Sequence, residues 1–216
     1  TPAVYYSSQK KGGKQMMGRY ILLAVIGYFL GGFPTAYIVG KAMGNIDIRK
    51  HGSKNPGATN MFRVLGAKAG VITFLGDGFK GALAALIGGW IGLEIGALIC
   101  GSAAVIGHNW PVFFRFKGGK GIATSLGAIL VLQPLIGLGM LAVGIASIIL
   151  TRYVSLASIG GAIAFPVIVL LTKSENKPLV VFSLLLGIIA LVRHYENIRR
   201  LLSGTENKLK FRKTPE

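Results

Sequence analysis

The chain has 216 residues, of which 52% are hydrophobic and only 14% charged, and its mean hydropathy is +0.60. A soluble domain carries about a quarter charged residues, so this composition excludes a soluble globular protein and leaves no room for a separate water-soluble domain. The net charge of +17, from 24 Lys and Arg against 7 Asp and Glu, points in a membrane protein to loop topology and anionic headgroups; no nucleic-acid module accompanies it, so membrane lipids and not nucleic acid are the expected partners.

Residues 1–16, TPAVYYSSQKKGGKQM, are polar, lack the apolar core of a signal peptide and lead into Met16-Met17-Gly18. They read as a non-native leader or a disordered tail outside the fold. Apolar runs then recur at 20–39, 69–89, 91–107, 122–132, 135–150, 154–171 and 179–192, most of them approaching the roughly 20 residues a helix needs to cross a bilayer. The fourth is short for a span, and its helix is expected to begin inside the preceding loop, near Gly119-Lys120. The expected fold is an all-α integral membrane protein, a bundle of about seven transmembrane helices whose 32 glycines allow close packing. Cys100 excludes an internal disulfide and lies in an apolar run, where packing is its expected role.

Alternating the loops puts 41–68, 108–121, Arg152 and the stretch from Arg193 on one side, and these hold most of the basic residues. The positive-inside rule makes that side cytoplasmic, with the N-terminus outside and the C-terminus inside. The expected organisation is one seven-helix membrane domain over 17–206 and a basic cytoplasmic tail over 207–216. All the unusual polar sequences then face the cytoplasm.

Four of these sequences carry chemistry. The segment from Asp47 to Arg63 is rich in Gly, Asn and Pro, so it turns repeatedly. Such turns aim backbone N–H groups at an anion; Ser53, Thr59 and Asn60 add side-chain partners, and Arg63 can grip a phosphate with two bonds. The bland alternative is a solvated basic loop on anionic lipid, but uncharged hydrogen-bonding residues are as dense here as charge. The run Phe116-Lys-Gly-Gly-Lys-Gly121, leading into a helix with Thr124 and Ser125, combines close backbone approach, a helix start and the Lys120 charge. It is not a Walker A motif. Around Arg152-Tyr153-Val-Ser155, interfacial anchoring competes with ligand binding. In Arg193-His194-Tyr-Glu-Asn197, His194 and Asn197 share a helix face and can meet ligand hydroxyls, while Arg199 and Arg200 read as an amphipathic face on headgroups. Asp77 and Lys80, three apart within a span, read as a structural pair, and His108 as interfacial packing.

Some absences narrow the chemistry. The three His and few acids are scattered, so no metal site and no cofactor are expected. Clustered acids for a nucleotide-bound Mg²⁺ are missing, as is a Ser-His-Asp set. The competing class is an organic-phosphate membrane transporter, yet no inverted repeat is visible and the polar residues sit at loop depth.

Taken together, Gly52-Ser53-x-Asn55-Pro-Gly57-Ala-Thr59-Asn60-x-x-Arg63, Gly107-His108-x-x-Pro111 with Phe116-Lys-Gly-Gly-Lys-Gly121-x-Ala-Thr124, Arg152-Tyr-x-Ser155-x-x-Ser158, and Arg193-His-x-x-Asn197-x-x-Arg200-Leu resemble the bacterial acyl-phosphate:glycerol-3-phosphate acyltransferases, the PlsY family. The resemblance runs in order from Gly18 to about Glu206. It implies transfer of an acyl chain from acyl phosphate to the 1-hydroxyl of glycerol 3-phosphate, the first step of bacterial phospholipid synthesis, in the bacterial inner membrane with the site facing the cytoplasm and with no protein partner required. It further implies that Ser53, Arg63, Lys120, Ser155, His194 and Asn197 form the catalytic set and hold glycerol 3-phosphate. Asn55, Thr59, Asn60, Gly118, Gly119, Gly121 and Thr124 would bind the acyl phosphate. An acyl phosphate is already activated, so a substrate phosphate oxygen can take the hydroxyl proton and no protein nucleophile is needed; His194 is the alternative base.

Overall fold

The computed structural model describes residues 2–209, with side chains from Gln15 onward. Most of the expected leader 1–16 and the last part of the tail, 210–216, therefore lie outside the described side chains. Every regular element among the described residues is helical: α1 (Pro2–Gly31), α2 (Thr35–Gly44), α3 (Ala58–Leu65), α4 (Ala67–Asn109), α5 (Ile122–Leu132), α6 (Pro134–Thr151), α7 (Val154–Thr172), α8 (Lys177–Arg193) and α9 (Tyr195–Leu202).

The longest of these is a hairpin. Gly92 (φ −130°, ψ 19°) and Leu93 (φ 53°, ψ −150°) leave helical geometry, and the chain doubles back so that Gly88 lies against Gly96 and Asp77 lies near His108. In a straight helix Asp77 and His108 would stand about 46 Å apart, at about 1.5 Å per residue. The two apolar runs expected at 69–89 and 91–107 are these two arms. With α1, α5, α6, α7 and α8 they make seven apolar helical arms among the described residues.

Small residues set the spacing. A Cβ added at Gly27 or Gly31 of α1 would overlap the backbone of Cys100 or Ala104 on the second arm of α4, so glycine brings these helices into backbone contact, where dispersion and not water expulsion holds membrane helices together. Cys100 is fully buried there, as its apolar setting predicts. A second core joins Leu98 and Val105 of α4 with Ile129, Phe165, Val169, Phe182 and Leu186; the Phe165 and Phe182 rings meet edge to face at 6.1 Å. The outer faces are apolar as well, with Val143 71%, Leu150 82% and Leu171 80% exposed, which suits lipid as solvent.

Two expectations about boundaries change. The first run, 20–39, is not one helix, because Gly32-Phe33-Pro34 ends α1 and α2 begins afresh at Thr35. The helix α5 does not start near Gly119-Lys120; it starts at Ile122, after Gly121 turns the chain at φ +77°. It stays 11 residues long, too short to cross a bilayer of about 30 Å unaided. At one end of the bundle the α4 turn is clipped to the start of α8 by Asn176 donating to Glu94 at 2.6 Å. The long polar segments gather at the other end.

Candidate active site

A cleft of about 1310 Å³ opens at that end, walled by the 47–63 segment, the glycine loop, the start of α7, α9 and residues Glu206 and Asn207. Each wall has a local cause. Asp47 caps a 3-10 turn at Ile48–Lys50 and holds the Arg49 guanidinium at 2.7 Å, and Arg49 in turn lies over the Tyr37 and Phe114 rings. Asn60, 1% exposed, staples the turn that follows: its Oδ1 accepts the Ser53 N–H at 2.9 Å and its Nδ2 donates to the His51 carbonyl at 3.0 Å. Gly52 takes φ +57° with Asn60 Oδ1 where a Cβ would stand, so only glycine suits that turn. Ser53, Asn55, Thr59 and Arg63 are thereby presented to the cleft.

The glycine loop is laid flat on the end of α4. The amides of Gly118 and Gly119 donate to the carbonyls of Asn109 and His108, both at 3.1 Å. Their carbonyls accept from Arg193, whose Nε and Nη2 reach Gly119 O at 3.0 and 2.8 Å and whose Nη2 reaches Gly118 O at 3.0 Å. Arg193 also lies over the Trp110 ring at 5.5 Å. The Gly118 and Gly119 amides are thus occupied, so the part of this loop that meets an anion in the cleft is Lys120. Lys120 Nζ donates to Asn197 Oδ1 across the cleft. Burial, and then the Arg200 charge, pull the Lys120 pKa down to about 8.

Across the cleft, Glu206 organises the remaining donors. Its Oε1 accepts from Ser155 Oγ at 2.9 Å and from Asn197 Nδ2 at 2.8 Å, and its Oε2 accepts from Arg200 Nε at 2.7 Å. Burial pushes this carboxyl up, but those three hydrogen bonds outweigh it and hold the group below the ordinary carboxylate range. His194 Nδ1 lies 2.8 Å from the Ala190 carbonyl, which puts the proton on Nδ1 and leaves Nε2 as an acceptor. Burial, and then the Lys120 charge, lower the His194 pKa to about 4, so the ring is neutral at pH 7.

Ser53, Asn55, Thr59, Asn60, Arg63, Gly118, Lys120, Ser155, His194 and Asn197 all contribute to the wall of this one cleft. Gly119, Gly121 and Thr124, expected to touch acyl phosphate, are placed behind that wall. Gly119 is pressed on the His108 ring, Gly121 packs against the Asn109 side chain, and Thr124 is fully buried at the crossing with Gly81. Three further residues stand outside the expected site set. Arg193 clamps the glycine loop. Arg200 faces the cleft and pairs with Glu206; its spacing of three from Asn197 was the available signal. Glu206 stood in a basic stretch with nothing but its charge to mark it. The first residues of the expected basic tail over 207–216 are docked: the Asn207 carbonyl accepts from Arg63 at 2.9 Å, and the Leu209 amide donates to Arg152 O at 2.7 Å.

The cleft's relatives are known. Residues 21–204 match the family model for glycerol-3-phosphate acyltransferase. The chain is 49% identical to a glycerol-3-phosphate acyltransferase of Thermoanaerobacter sp. (strain X514) over 189 residues, covering 88% of this chain and 95% of that one. It is 45% identical to one from Clostridioides difficile (strain 630) over 196 residues, with the same coverage of 88% and 95%. Among solved structures it is similar to PlsY (YgiH), an integral membrane glycerol 3-phosphate acyltransferase. The glycerol 3-phosphate form superposes with a TM-score of 0.83 at 36% identity, over 88% of this chain and 96% of that one. The lysophosphatidic acid form gives 0.81 at 36% identity, over 89% and 96%. A family match over most of the chain, together with the helical membrane fold, leads to one conclusion: the chain belongs to the glycerol-3-phosphate acyltransferase family and is a membrane acyltransferase of phospholipid synthesis.

Proposed function

We propose that the chain transfers an acyl group from acyl phosphate to the 1-hydroxyl of glycerol 3-phosphate, releasing 1-acyl-glycerol 3-phosphate and inorganic phosphate. The observation that carries this reading is the pairing of two cavities. The cationic cleft shares Val154 and Ser158 in its wall with an apolar cavity of about 170 Å³ between α5, α6, α7 and α8. One substrate with a phosphate head and an apolar tail suits that pair, and a second small phosphate suits the cleft beside it.

In this reading Lys120 faces the acyl phosphate head, and the tail lies in the apolar cavity. Ser53, Arg63, Ser155, His194 and Asn197 hold glycerol 3-phosphate. The hydroxyl oxygen attacks the acyl carbonyl carbon, the carbon–oxygen bond to phosphate breaks, and the hydroxyl proton passes to a phosphate oxygen. Lys120 offsets charge on the departing phosphate. His194 Nε2 accepts the hydroxyl hydrogen bond and orients the attack, because a ring with a pKa of about 4 is a poor base at neutral pH. By the positive-inside rule, the excess of basic residues at the cleft end favours a cytoplasmic face in a bacterial inner membrane, with the N-terminus outside and the seven apolar arms embedded in the bilayer. The direct test incubates purified protein with acyl phosphate and glycerol 3-phosphate and follows phosphate and lysophosphatidic acid. Equal release of both supports the reading; phosphate release without acylated product, or acylation only from an acyl thioester, refutes it.

A further inference from the structure

Along α7, Val154, Ser158, Gly161 and Phe165 recur at helical spacing and all line the apolar cavity. Val154 and Ser158 belong to the cleft wall as well, so they stand at the cavity's mouth. Phe165 stands at the far end. It is buried, meets the Phe182 ring edge to face at 6.1 Å and belongs to the packed core between α4, α5, α7 and α8. From Val154 to Phe165 the helix rises about 16 Å, at about 1.5 Å per residue. Half of a hydrocarbon core of about 30 Å is nearly the same distance. The cavity is therefore about one leaflet deep and ends on a ring that its neighbours hold in place.

Between mouth and end the walls carry two glycines, Gly144 of α6 and Gly161 of α7. Elsewhere glycine serves helix contact: a Cβ at Gly81 or Gly127 would overlap the carbonyl of Thr124 or of Gly78 across the α4–α5 crossing. At Gly144 a Cβ would meet nothing within 4 Å, and at Gly161 only the Met140 ε-methyl at 3.6 Å. Packing requires glycine at neither place, and glycine is a poorer helix former than alanine. What the two bare positions preserve is the width of the cavity. Met140 is flexible and can yield to an occupant, whereas Phe165 is fixed by the core behind it. We infer that Gly161 and Phe165 set which acyl chains the enzyme accepts: Gly161 keeps the passage wide enough for a tail, and Phe165 stops the tail at the depth of one leaflet. The inference rests on the reading that the acyl phosphate tail occupies this cavity.

The test measures kcat/KM of the purified protein for octanoyl, palmitoyl and arachidoyl phosphate, with glycerol 3-phosphate varied separately. Gly161→Leu is expected to lower the palmitoyl and arachidoyl values by about ten-fold, as a changed fit in a hydrophobic pocket does, and to leave octanoyl phosphate and the KM for glycerol 3-phosphate within about two-fold. Phe165→Ala is expected to favour arachidoyl over palmitoyl phosphate relative to the parent protein. Should these fail to insert, Gly144→Leu, whose side chain enters open space, and Phe165→Leu carry the same expectations. Equal losses at every chain length, or an unchanged chain-length profile, overturn the inference. Ala157→Phe, near the mouth, separates that result from a failure of the cavity reading. If it impairs palmitoyl and arachidoyl transfer while the Gly161 and Phe165 variants keep the parent profile, the tail is in the cavity and these two residues are not its gauge. If Ala157→Phe also turns over all three normally, the tail lies elsewhere, and the cavity reading and the inference fall together.

Discussion

In the cluster beneath the glycine loop, the Lys80 ammonium meets the Asp77 carboxylate at 2.8 Å and His108 leans on the same oxygen. In the cleft a few Å away, basic residues crowd the wall while Asp47, Glu196 and Glu206 are its acids. The first cluster is buried and its ion pair is closed. The second is open and carries surplus positive charge that protein atoms do not neutralise. Within a membrane-embedded body, unmatched charge survives only where water or a ligand can reach it. The surplus therefore marks the cleft as the face of the molecule suited to anions.

The comparison breaks most easily at Lys120. Lys120→Ala should lower kcat/KM by about 10²–10³, the cost of one charged transition-state contact, while the protein still inserts; near-normal turnover of the purified variant would sink the phosphate role of the loop. At His194 the split matters more than the size. His194→Gln is expected to raise KM for glycerol 3-phosphate by about ten-fold, the worth of one hydrogen bond, and to keep most of the maximal rate. A fall of about 10²–10⁴ in kcat with KM unchanged would instead make His194 the general base.

The pH response sharpens the contrast further. Lys120, lowered to about 8 by burial, is charged below that value and neutral above it. The kcat/KM for acyl phosphate should fall as pH rises through about 8, and Lys120→Arg, charged throughout, should lose that alkaline limb; an identical limb in both proteins would assign it elsewhere. Glu206, depressed by its three donors despite burial, contributes stability that is complete above the ordinary carboxylate pKa and is lost as pH falls through its depressed value. Glu206→Gln should flatten that acid limb in thermal unfolding, and an unaltered limb would show that the carboxylate does not tie the cleft together. The smallest expected effect is that of a chelator. No group of three His, Cys, Asp or Glu gathers among the described residues, so EDTA should leave turnover unchanged, and loss of activity restored by Mg²⁺ would argue against this chemistry.

Much of the fold was legible because apolar runs in a membrane protein are both signal and structure. The runs at 69–89 and 91–107 were read as separate helices from composition, and they are the two arms of α4. The break at Gly32-Phe33-Pro34 was not legible, because hydropathy reads straight through it. The start of α5 was misplaced because Gly118 and Gly119 give their amides to the end of α4 and not to a new helix. Most of the cleft was legible through the spacing of polar residues around Ser53, Lys120, Ser155 and His194. Glu206 was not, since its value comes from partners on α7 and α9, and that convergence is tertiary.

The docking of Glu206, Asn207 and Leu209 bears on how the enzyme is made. All seven apolar arms precede this stretch, so they can enter the bilayer before it is in place. Until it docks, Ser155 and Asn197 lack the Glu206 acceptor that holds them, Arg63 lacks its Asn207 carbonyl, and Arg200 lacks its ion pair. A nascent chain whose synthesis has reached only Leu202 would carry the whole hydrophobic scaffold with its polar cleft unfastened. Insertion and activation are then successive events in biogenesis, and the second depends on a few hydrogen bonds made at the water-facing rim.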